Sequence, residues 1–242
     1  MDFLAEVAAW FTDSASWSGR DAISARVGEH LALSGVSLLA GLAIALPLGL
    51  FIGHTRRWAG AVVAITNVGR AVPSVGILGL ALPITLQLGW GIGVPPTLLA
   101  LTVLAIPPIV LNAYVGIRDV EPELVEAARG MGMREAQVLR RLELPIALPV
   151  ILAGVRTASI QVIATATLGA ILSTGGLGRF IVDGFAQQDY PEMFGGALLV
   201  MALALTSEAL FGWAQRRAVS PGLRGTTIAG VLPETPAPGF GI

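Results

Sequence analysis

The side chains that most often carry enzyme chemistry are scarce and scattered in this sequence. There is no cysteine, which excludes a thiolate nucleophile, a disulfide and a cysteine-ligated metal, and the two histidines, His30 and His54, lie far apart. A glycine-rich run at 173–185, STGGLGRFIVDGF, has the composition of a phosphate-binding loop but lacks the Gly-Lys-Ser/Thr that such a loop requires. The sequence therefore predicts no cysteine or zinc enzyme, no nucleotide site and no cofactor or metal bound by this chain.

A charged segment at residues 117–147 contains the most specific residue spacing. Glu121 and Pro122 predict a helix start, because proline suits the first helical turn and acids are favoured at the positive end of the helix dipole. We expect this helix to end near Arg129. A turn should follow, since Gly130 and Gly132 can adopt left-handed or other sharp conformations.

A second short helix is expected from Arg134 to Leu142, ended by Pro145. The small side chains of Ala127 and Ala128 would let the backbone of another protein approach the first helix closely. Judged on its residues alone, the charged segment could equally be an interfacial helix pair that lies on anionic lipid.

The composition predicts the class of protein that carries this charged segment. The chain has 242 residues, of which 54% are hydrophobic and 13% charged, and its mean hydropathy is +0.76. Soluble domains carry about 25% charged residues, so too few charges are present to coat a soluble protein of this size. We predict an all-α integral membrane protein, and a net charge of −1 predicts no nucleic-acid partner.

Apolar blocks long enough to span a bilayer predict about five transmembrane helices. The second block is long enough for Pro73 and Pro83 to divide it into a span and a re-entrant piece, so a sixth crossing stays open. The blocks run at 30–53, 58–88, 94–116, 149–172 and 194–213.

Arginine placement predicts the orientation. Every basic residue is arginine, and ten of the fifteen follow the first, third and fifth blocks. Because cytoplasmic loops collect positive charge, we place the N-terminus outside and the C-terminus in the cytoplasm of a multi-pass protein of the cell membrane. The predicted organisation is an extracytoplasmic or interfacial segment at 1–29, a transmembrane domain at 30–217 and a disordered cytoplasmic tail at 218–242.

Three charged residues fall within apolar blocks, where an arginine costs about 2.5 to 3.5 kcal/mol. We expect Arg156 to reach the headgroups or a loop acid, and Glu208 to be paired or to extend to the interface. Arg70 could equally line a translocation path, contact a partner or be structural.

The charged segment resembles the EAA loop of ABC-importer permeases. It has EAARGMG at 126–132 and, after nine residues, LELP at 142–145. In that family the loop is a coupling helix that inserts into the cytoplasmic ATPase. By resemblance, the ATPase-coupling residues here are Glu126, Ala127, Ala128, Gly130, Gly132, Leu142, Leu144 and Pro145.

The resemblance covers about residues 30–217. The sequence segments at 71–83, 126–158 and 164–184 are similar to those of permeases of the glycine betaine, carnitine and choline subfamily. The methionine and taurine type permeases are less similar in these segments. It implies a type I ABC importer core and an osmoprotectant cargo, with methionine or another amino-acid-like solute as the alternative. Residues that could line the pathway or an outer gate are Arg70, Pro73, Ser74, Gly175, Gly176 and Gly178.

The resemblance also implies a complex. A chain with five spans supplies half a pathway and contains no Walker motif. Its expected partners are a cytoplasmic ATPase dimer that binds ATP and Mg, a second permease subunit (another copy or a sister chain), an extracytoplasmic substrate-binding protein and membrane lipid. A secondary transporter or channel would show internal repeats and intramembrane coupling residues, and a membrane-embedded enzyme would need a cluster of polar residues on facing helices; neither pattern is found.

Overall fold

The computed structural model describes residues 3–218, and within the helix at 59–71 the side chains of Ala61, Val63, Val68 and Arg70 lie outside the described part. All regular structure in this part is helical. The α-helices are α1 (Phe3–Thr12), α2 (Ile23–Thr55), α3 (Ala59–Ala71), α4 (Ser74–Gln87), α5 (Val94–Arg118), α6 (Pro122–Gly130), α7 (Glu135–Val138), α8 (Leu144–Ala166), α9 (Gly178–Gln187) and α10 (Tyr190–Ala218). Short 3₁₀ segments lie at Ser14–Trp17 and Thr167–Leu172, and a π-helical turn lies at Leu139–Glu143.

Four helical stretches of the described chain are long and apolar enough to cross a membrane. They are α2, α5, α10 and the continuous run Glu135–Leu172, which contains α7, the π turn, α8 and the second 3₁₀ segment. These stretches correspond to four of the five predicted blocks. The predicted all-α membrane architecture is confirmed.

The remaining apolar block, predicted at 58–88, is a broken helix. It forms α3 and α4, of 13 and 14 residues, each shorter than the ~20 residues needed to span a bilayer. The break lies at Pro73, the N-cap residue of α4, whose own ψ of 137° is extended. Its ring also disfavours helical geometry at Val72, the residue before it, so α3 cannot run on into α4. Pro83, the other predicted point of division, lies inside α4.

The two halves of the broken helix lie one after the other along α5. Gly69 of α3 faces Pro107, whereas Ala81 of α4 packs with Ala100 nearer the start of α5. The pair therefore runs antiparallel to α5, in the direction that a single unbroken crossing would take.

The core is formed where α2 packs against α5 and α8. Small residues at every fourth position of α2 form the seam: Gly41, Ala45, Gly49 and Gly53. A Cβ atom built on Gly49 would lie 2.6 Å from the Cβ of Ala113, so a larger side chain there would force the two backbones apart. Close approach through small residues is the usual basis of helix association in a bilayer, where no hydrophobic force favours burial.

A second cluster joins α1 to α9 and α10. The indole of Trp10 contacts the ring of Phe180 edge to face and covers Gly195. The predicted interfacial leader thus packs on the bundle through α1, and the long helix α2 begins at Ile23, before the predicted start of the first span at His30. The predicted tail, except Ala218 at the end of α10, lies outside the described residues.

Candidate functional site

The charged segment folds as a helical hairpin joined to α8. Its first helix, α6, ends as predicted, and its second begins at Glu135 and continues without interruption into α8. The prediction that Pro145 ends this helix is wrong. The π turn before it widens the helix, with the Leu144 N–H donating to the Leu139 carbonyl, and Pro145 follows directly in the first turn of α8. The shift of the hydrogen-bond pattern from i−4 to i−5 at this point accommodates a residue that has no N–H.

The turn after α6 depends on Gly132 and not on Gly130. Gly132 has φ of +84°, its N–H donates to the Arg129 carbonyl, and the Met133 N–H donates to the Ala128 carbonyl. This pair of bonds is a Schellman motif, in which the left-handed residue is usually glycine. Gly130 is the last residue of α6 and needs no left-handed conformation.

The hairpin has its own small core, which changes how the predicted coupling residues are understood. Ala128 is 3% exposed and packs with Val120, Val125 and Val138. Leu142 packs against this cluster, and Leu144 against a neighbouring cluster around Ile117, Ala147 and Ile151. These three predicted residues hold the hairpin in shape, while Glu126, Ala127 and Pro145 are exposed.

An apolar stripe on the outer face of α6 was missed by the sequence analysis. Leu124 is 43% exposed, and Met131, the C-cap residue directly after α6, is 77% exposed; with Ala127 they occupy positions i, i+3 and i+7. Such residues share one face of a helix. The helical spacing alone could have revealed this stripe.

An ionic network links the hairpin to the end of α2. Arg129 donates from Nε to Glu135 Oε1 and from Nη2 to Glu135 Oε2, both at 3.0 Å. The hydrogen-bonded Glu135 carboxylate raises the pKa of the Arg129 guanidinium. His54 lies between Glu135 and the nearly buried Glu143, with ring nitrogen to oxygen distances of 3.2 and 2.6 Å. Sequence analysis gave His54 no role, because its partners are remote in the chain.

The glycine-rich loop at residues 173–178 is held tightly in the structure. The Gly176 N–H donates to Glu29 Oε2 at 2.7 Å, with Gly176 at φ +92°. A Cβ atom built on Gly178 would lie 2.3 Å from the Thr167 carbonyl oxygen. Beside the loop, His30 is fully buried, and its Nε2 donates to the Ile163 carbonyl at 3.0 Å.

The other predicted pathway residues lie elsewhere. Pro73 is exposed at the break between α3 and α4, and Ser74 borders a small gap with Thr97 and Gly169. Thr97 in turn shares a hydrogen bond of 2.9 Å with Thr174, so Ser74 is connected to the glycine-rich loop only through other residues. The side chain of Arg70 lies outside the described residues, and a pathway role for all six residues stays a prediction.

The two remaining charges of the apolar blocks are paired with each other. Arg156 of α8 forms an ion pair with Glu208 of α10. The acid that Arg156 contacts thus lies on a neighbouring helix and not in a loop as expected, and its reach to the headgroups stays a prediction, whereas the expectation of a paired Glu208 is confirmed. Among residues 3–218, no group of three His, Cys, Asp or Glu side chains is arranged to bind a metal ion.

Comparison with known proteins decides the family. Residues 45–224 match the family described as "Binding-protein-dependent transport system inner membrane component". The chain belongs to this family. It is therefore the permease subunit of an ABC importer, a multi-pass membrane protein, and ATP hydrolysis is carried out by a separate ATPase.

Relatives of this ABC permease are similar over most of its length. It is 34% identical over 200 residues to the glycine betaine/carnitine/choline transport system permease protein OpuCB of Bacillus subtilis (strain 168), covering 83% of this chain and 90% of that protein. It is 35% identical to the choline transport system permease protein OpuBB of the same organism, covering 81% and 88%. A solved inward-facing structure of the MetNI methionine ABC transporter superposes with a TM-score of 0.73 at 26% identity, over 82% and 96%.

Proposed function

We propose that this ABC permease carries a quaternary ammonium osmoprotectant of the glycine betaine, carnitine and choline class across the cell membrane. The observation that carries the proposal is the pattern of identities. Relatives named for these solutes or for osmoprotectants are 32 to 36% identical over at least three quarters of the chain, whereas the methionine transporter is 26% identical.

The aromatic contacts support the proposal that a separate binding protein, and not this chain, recognises the quaternary ammonium group. A quaternary ammonium group is usually bound by a cage of aromatic rings. In the part of the chain that the structure describes, the ring contacts are pairs within the α1, α9 and α10 packing and two arginine stacks. We infer that an extracytoplasmic protein selects the cargo and delivers it to a pathway built by two permease subunits.

The proposed orientation puts the N-terminus outside and the charged segment in the cytoplasm, where it meets an ATPase dimer that holds ATP and Mg. The absence of native cysteine makes this orientation easy to test. Single cysteines at Ser14 and Ser173 should react with an impermeant thiol reagent in intact cells. A cysteine at Glu123 should react only after the membrane is opened, and the reverse pattern would invert the topology.

The outer face of α6 is the proposed contact with the ATPase. It presents the apolar stripe of Leu124, Ala127 and Met131 beside the carboxylate of Glu126, and Ala127 leaves room for a partner backbone. Ala128, Leu142 and Leu144 would contribute indirectly, because they hold α6 in place. ATP-driven closure of the ATPase dimer would then press on the two hairpins and turn the pathway outward.

Uptake by cells that lack this gene tests the cargo. We expect accumulation of radiolabelled glycine betaine or choline to fall to background and growth at high salt to slow, with both restored by the wild-type gene. Methionine uptake serves as the control and should be unchanged. Lost methionine uptake with normal betaine and choline uptake would move the protein to the alternative solute class.

Ala127→Asp tests the contact face. A buried charge at the interface should prevent the ATPase from copurifying with the permease and abolish transport, while membrane insertion is spared. Ala136→Asp is the matched control, because Ala136 is an exposed alanine on the second helix of the same hairpin. Equal copurification of the ATPase with both variants would show that α6 is not the docking helix and favour the lipid-surface alternative.

A further inference from the structure

A cavity of about 320 Å³ lies between α2, α5 and the glycine-rich loop. Its volume falls within the range of sites for small organic ligands, ~300 to 1,000 Å³. Two of the residues that line it have polar side chains, Glu29 and Thr174, and the others are Ala32, Leu33, Val36, Val94, Leu98 and Gly175. The buried Thr174 hydroxyl already shares a hydrogen bond with Thr97, so Glu29 is the polar side chain that a ligand can meet.

The carboxylate of Glu29 is held in one position at the edge of this cavity. Its Oε2 accepts a hydrogen bond from the Gly176 N–H at 2.7 Å and another from Arg26 Nη1 at 2.9 Å. Neither bond uses Oε1, and the Glu29 side chain is 46% exposed. The carboxylate is therefore fixed by the loop and keeps the capacity to contact a ligand.

The charged groups around Glu29 leave an excess of formal negative charge. Arg26 forms ion pairs with both Glu29 and Asp21, so one guanidinium is shared by two carboxylates. The excess charge attracts a cation and repels an anion, such as the phosphate of a lipid headgroup. The cavity is therefore suited to a positively charged ligand with an apolar surface.

The apolar walls restrict the kind of cation that the cavity can hold. A calcium ion takes about six to eight oxygen ligands, and a primary ammonium group has three N–H donors that each need an acceptor. Apolar side chains provide neither. A quaternary ammonium group has a positive charge, a shell of methyl groups and no N–H, so it requires only a counter-ion and apolar contacts.

We propose that this cavity receives the quaternary ammonium group of the cargo, with Glu29 as its counter-ion. The inference rests on the proposed osmoprotectant cargo and on the orientation that puts this end of α2 outside. A half-exposed carboxylate binds a cation weakly, because water competes for both charges. Weak binding suits a site that takes the cargo from the binding protein and must then release it into the pathway.

The test measures binding of choline to the complex of the permease with its ATPase, in nanodiscs whose lipid contains no choline and without the binding protein. Choline is compared with its neutral carbon analogue, in which a carbon atom replaces the charged nitrogen and the shape is kept. Each dissociation constant is obtained from the rise of the unfolding temperature with ligand concentration. The wild type should bind choline about fivefold more tightly than the carbon analogue, the factor expected for an exposed ion pair.

Glu29→Gln separates the charge of the site from its shape. The amide oxygen still accepts from Gly176 and Arg26, so the loop keeps its contact while the negative charge is lost. Choline affinity should fall about fivefold, to that of the carbon analogue, whose own affinity should be unchanged. Glu192→Gln is the matched control and should keep the preference for choline, because Glu192 is an acid in the first turn of α10 that does not line the cavity.

Val36→Phe tests the cavity without altering the carboxylate. Val36 lines the cavity and is 54% exposed, so a phenyl ring there should occupy the space between α2 and α5 and weaken binding of choline and of the carbon analogue alike. Leu39→Phe is the matched control, because Leu39 is an exposed residue of the same helix that does not line the cavity, and it should leave both affinities unchanged.

Failure of this inference is distinguishable from failure of the proposed function. If cells take up choline through this transporter but the wild-type complex binds choline and the carbon analogue equally, the inference is overturned and the proposed function stands. If the complex prefers choline but cells take up neither choline nor betaine, the cation site stands and the cargo assignment fails. Equal effects of Glu29→Gln on both ligands would also overturn the inference. If Glu29→Gln failed to assemble, unchanged binding of both ligands to Val36→Phe would overturn it alone.

Discussion

The two ends of α2 each hold a distant segment, but they do so with different partners. At the first end, Glu29 accepts from the backbone N–H of Gly176, and the buried His30 donates to the backbone carbonyl of Ile163. At the other end, His54 contacts the carboxylates of Glu135 and Glu143. Backbone groups cannot rotate away without moving the chain, whereas side chains can. The first end is therefore suited to a fixed shape and the second to contacts that break and re-form.

The two segments held by the ends of α2, the glycine-rich loop and the hairpin, also differ in what limits their substitution. In the glycine-rich loop, a side chain on Gly178 would collide with the backbone of Thr167. In the hairpin, a Cβ atom on Gly132 would have no atom within 4 Å, so that only its left-handed conformation requires glycine. One segment is limited by packing and the other by backbone geometry. Three substitutions, from the largest expected effect to the smallest, test this comparison.

Gly178→Ala should have the largest effect. Its Cβ atom would meet backbone atoms that cannot move independently, and we expect a destabilisation of about 3 kcal/mol, at the upper end for overpacking. The measurement is the temperature at which detergent-purified protein loses its monodisperse peak in size-exclusion chromatography. Gly175→Ala is the control, because its nearest neighbour is the side-chain carboxylate of Glu29 and not a backbone atom, and it should lower this temperature less. Equal shifts would show that the loop is not limited by packing at Gly178.

Glu29→Ala should have an intermediate effect. It removes the acceptor for the Gly176 N–H and for Arg26, and we expect a loss of about 1.5 kcal/mol, since this charged hydrogen bond is half exposed. Glu29→Gln keeps an acceptor oxygen and should recover most of the stability in the same thermal assay. If glutamine were as damaging as alanine, the ion pair with Arg26 would matter more than the backbone contact, and the first end of α2 would resemble the second.

Gly132→Ala should have the smallest effect on stability, about 1 kcal/mol for the left-handed conformation. Gly130→Ala is the matched control, because Gly130 is helical and a Cβ atom on it would have no atom within 4 Å, so alanine there should be neutral or slightly stabilising. Copurification of the ATPase, measured beside thermal stability, should fall for position 132 only. A larger loss for position 130 would contradict the assignment of the turn.

Local signals explain why the hairpin could be predicted in outline. The proline and acids at the start of α6 and the glycine after it act through neighbouring backbone atoms, so the helix and its turn follow from the sequence. Which side chains of the helix face outward does not follow from the sequence. Ala127 and Ala128 are adjacent and identical, yet one is exposed and the other lies in the core of the hairpin, because only the packing of α7 and the π turn decides which face is covered.

The sequence by itself determined that this chain lies in a membrane, that its apolar blocks form helices and that a charged hairpin interrupts them, because hydropathy and helix signals act over one element at a time. Only the tertiary structure decided which remote residues meet. His54 with Glu143, and Arg156 with Glu208, are pairs that no local pattern specifies, since their contact depends on how whole helices pack. No local sequence pattern predicted that the second hairpin helix continues past Pro145 either. A single π turn in the structure accommodates the proline.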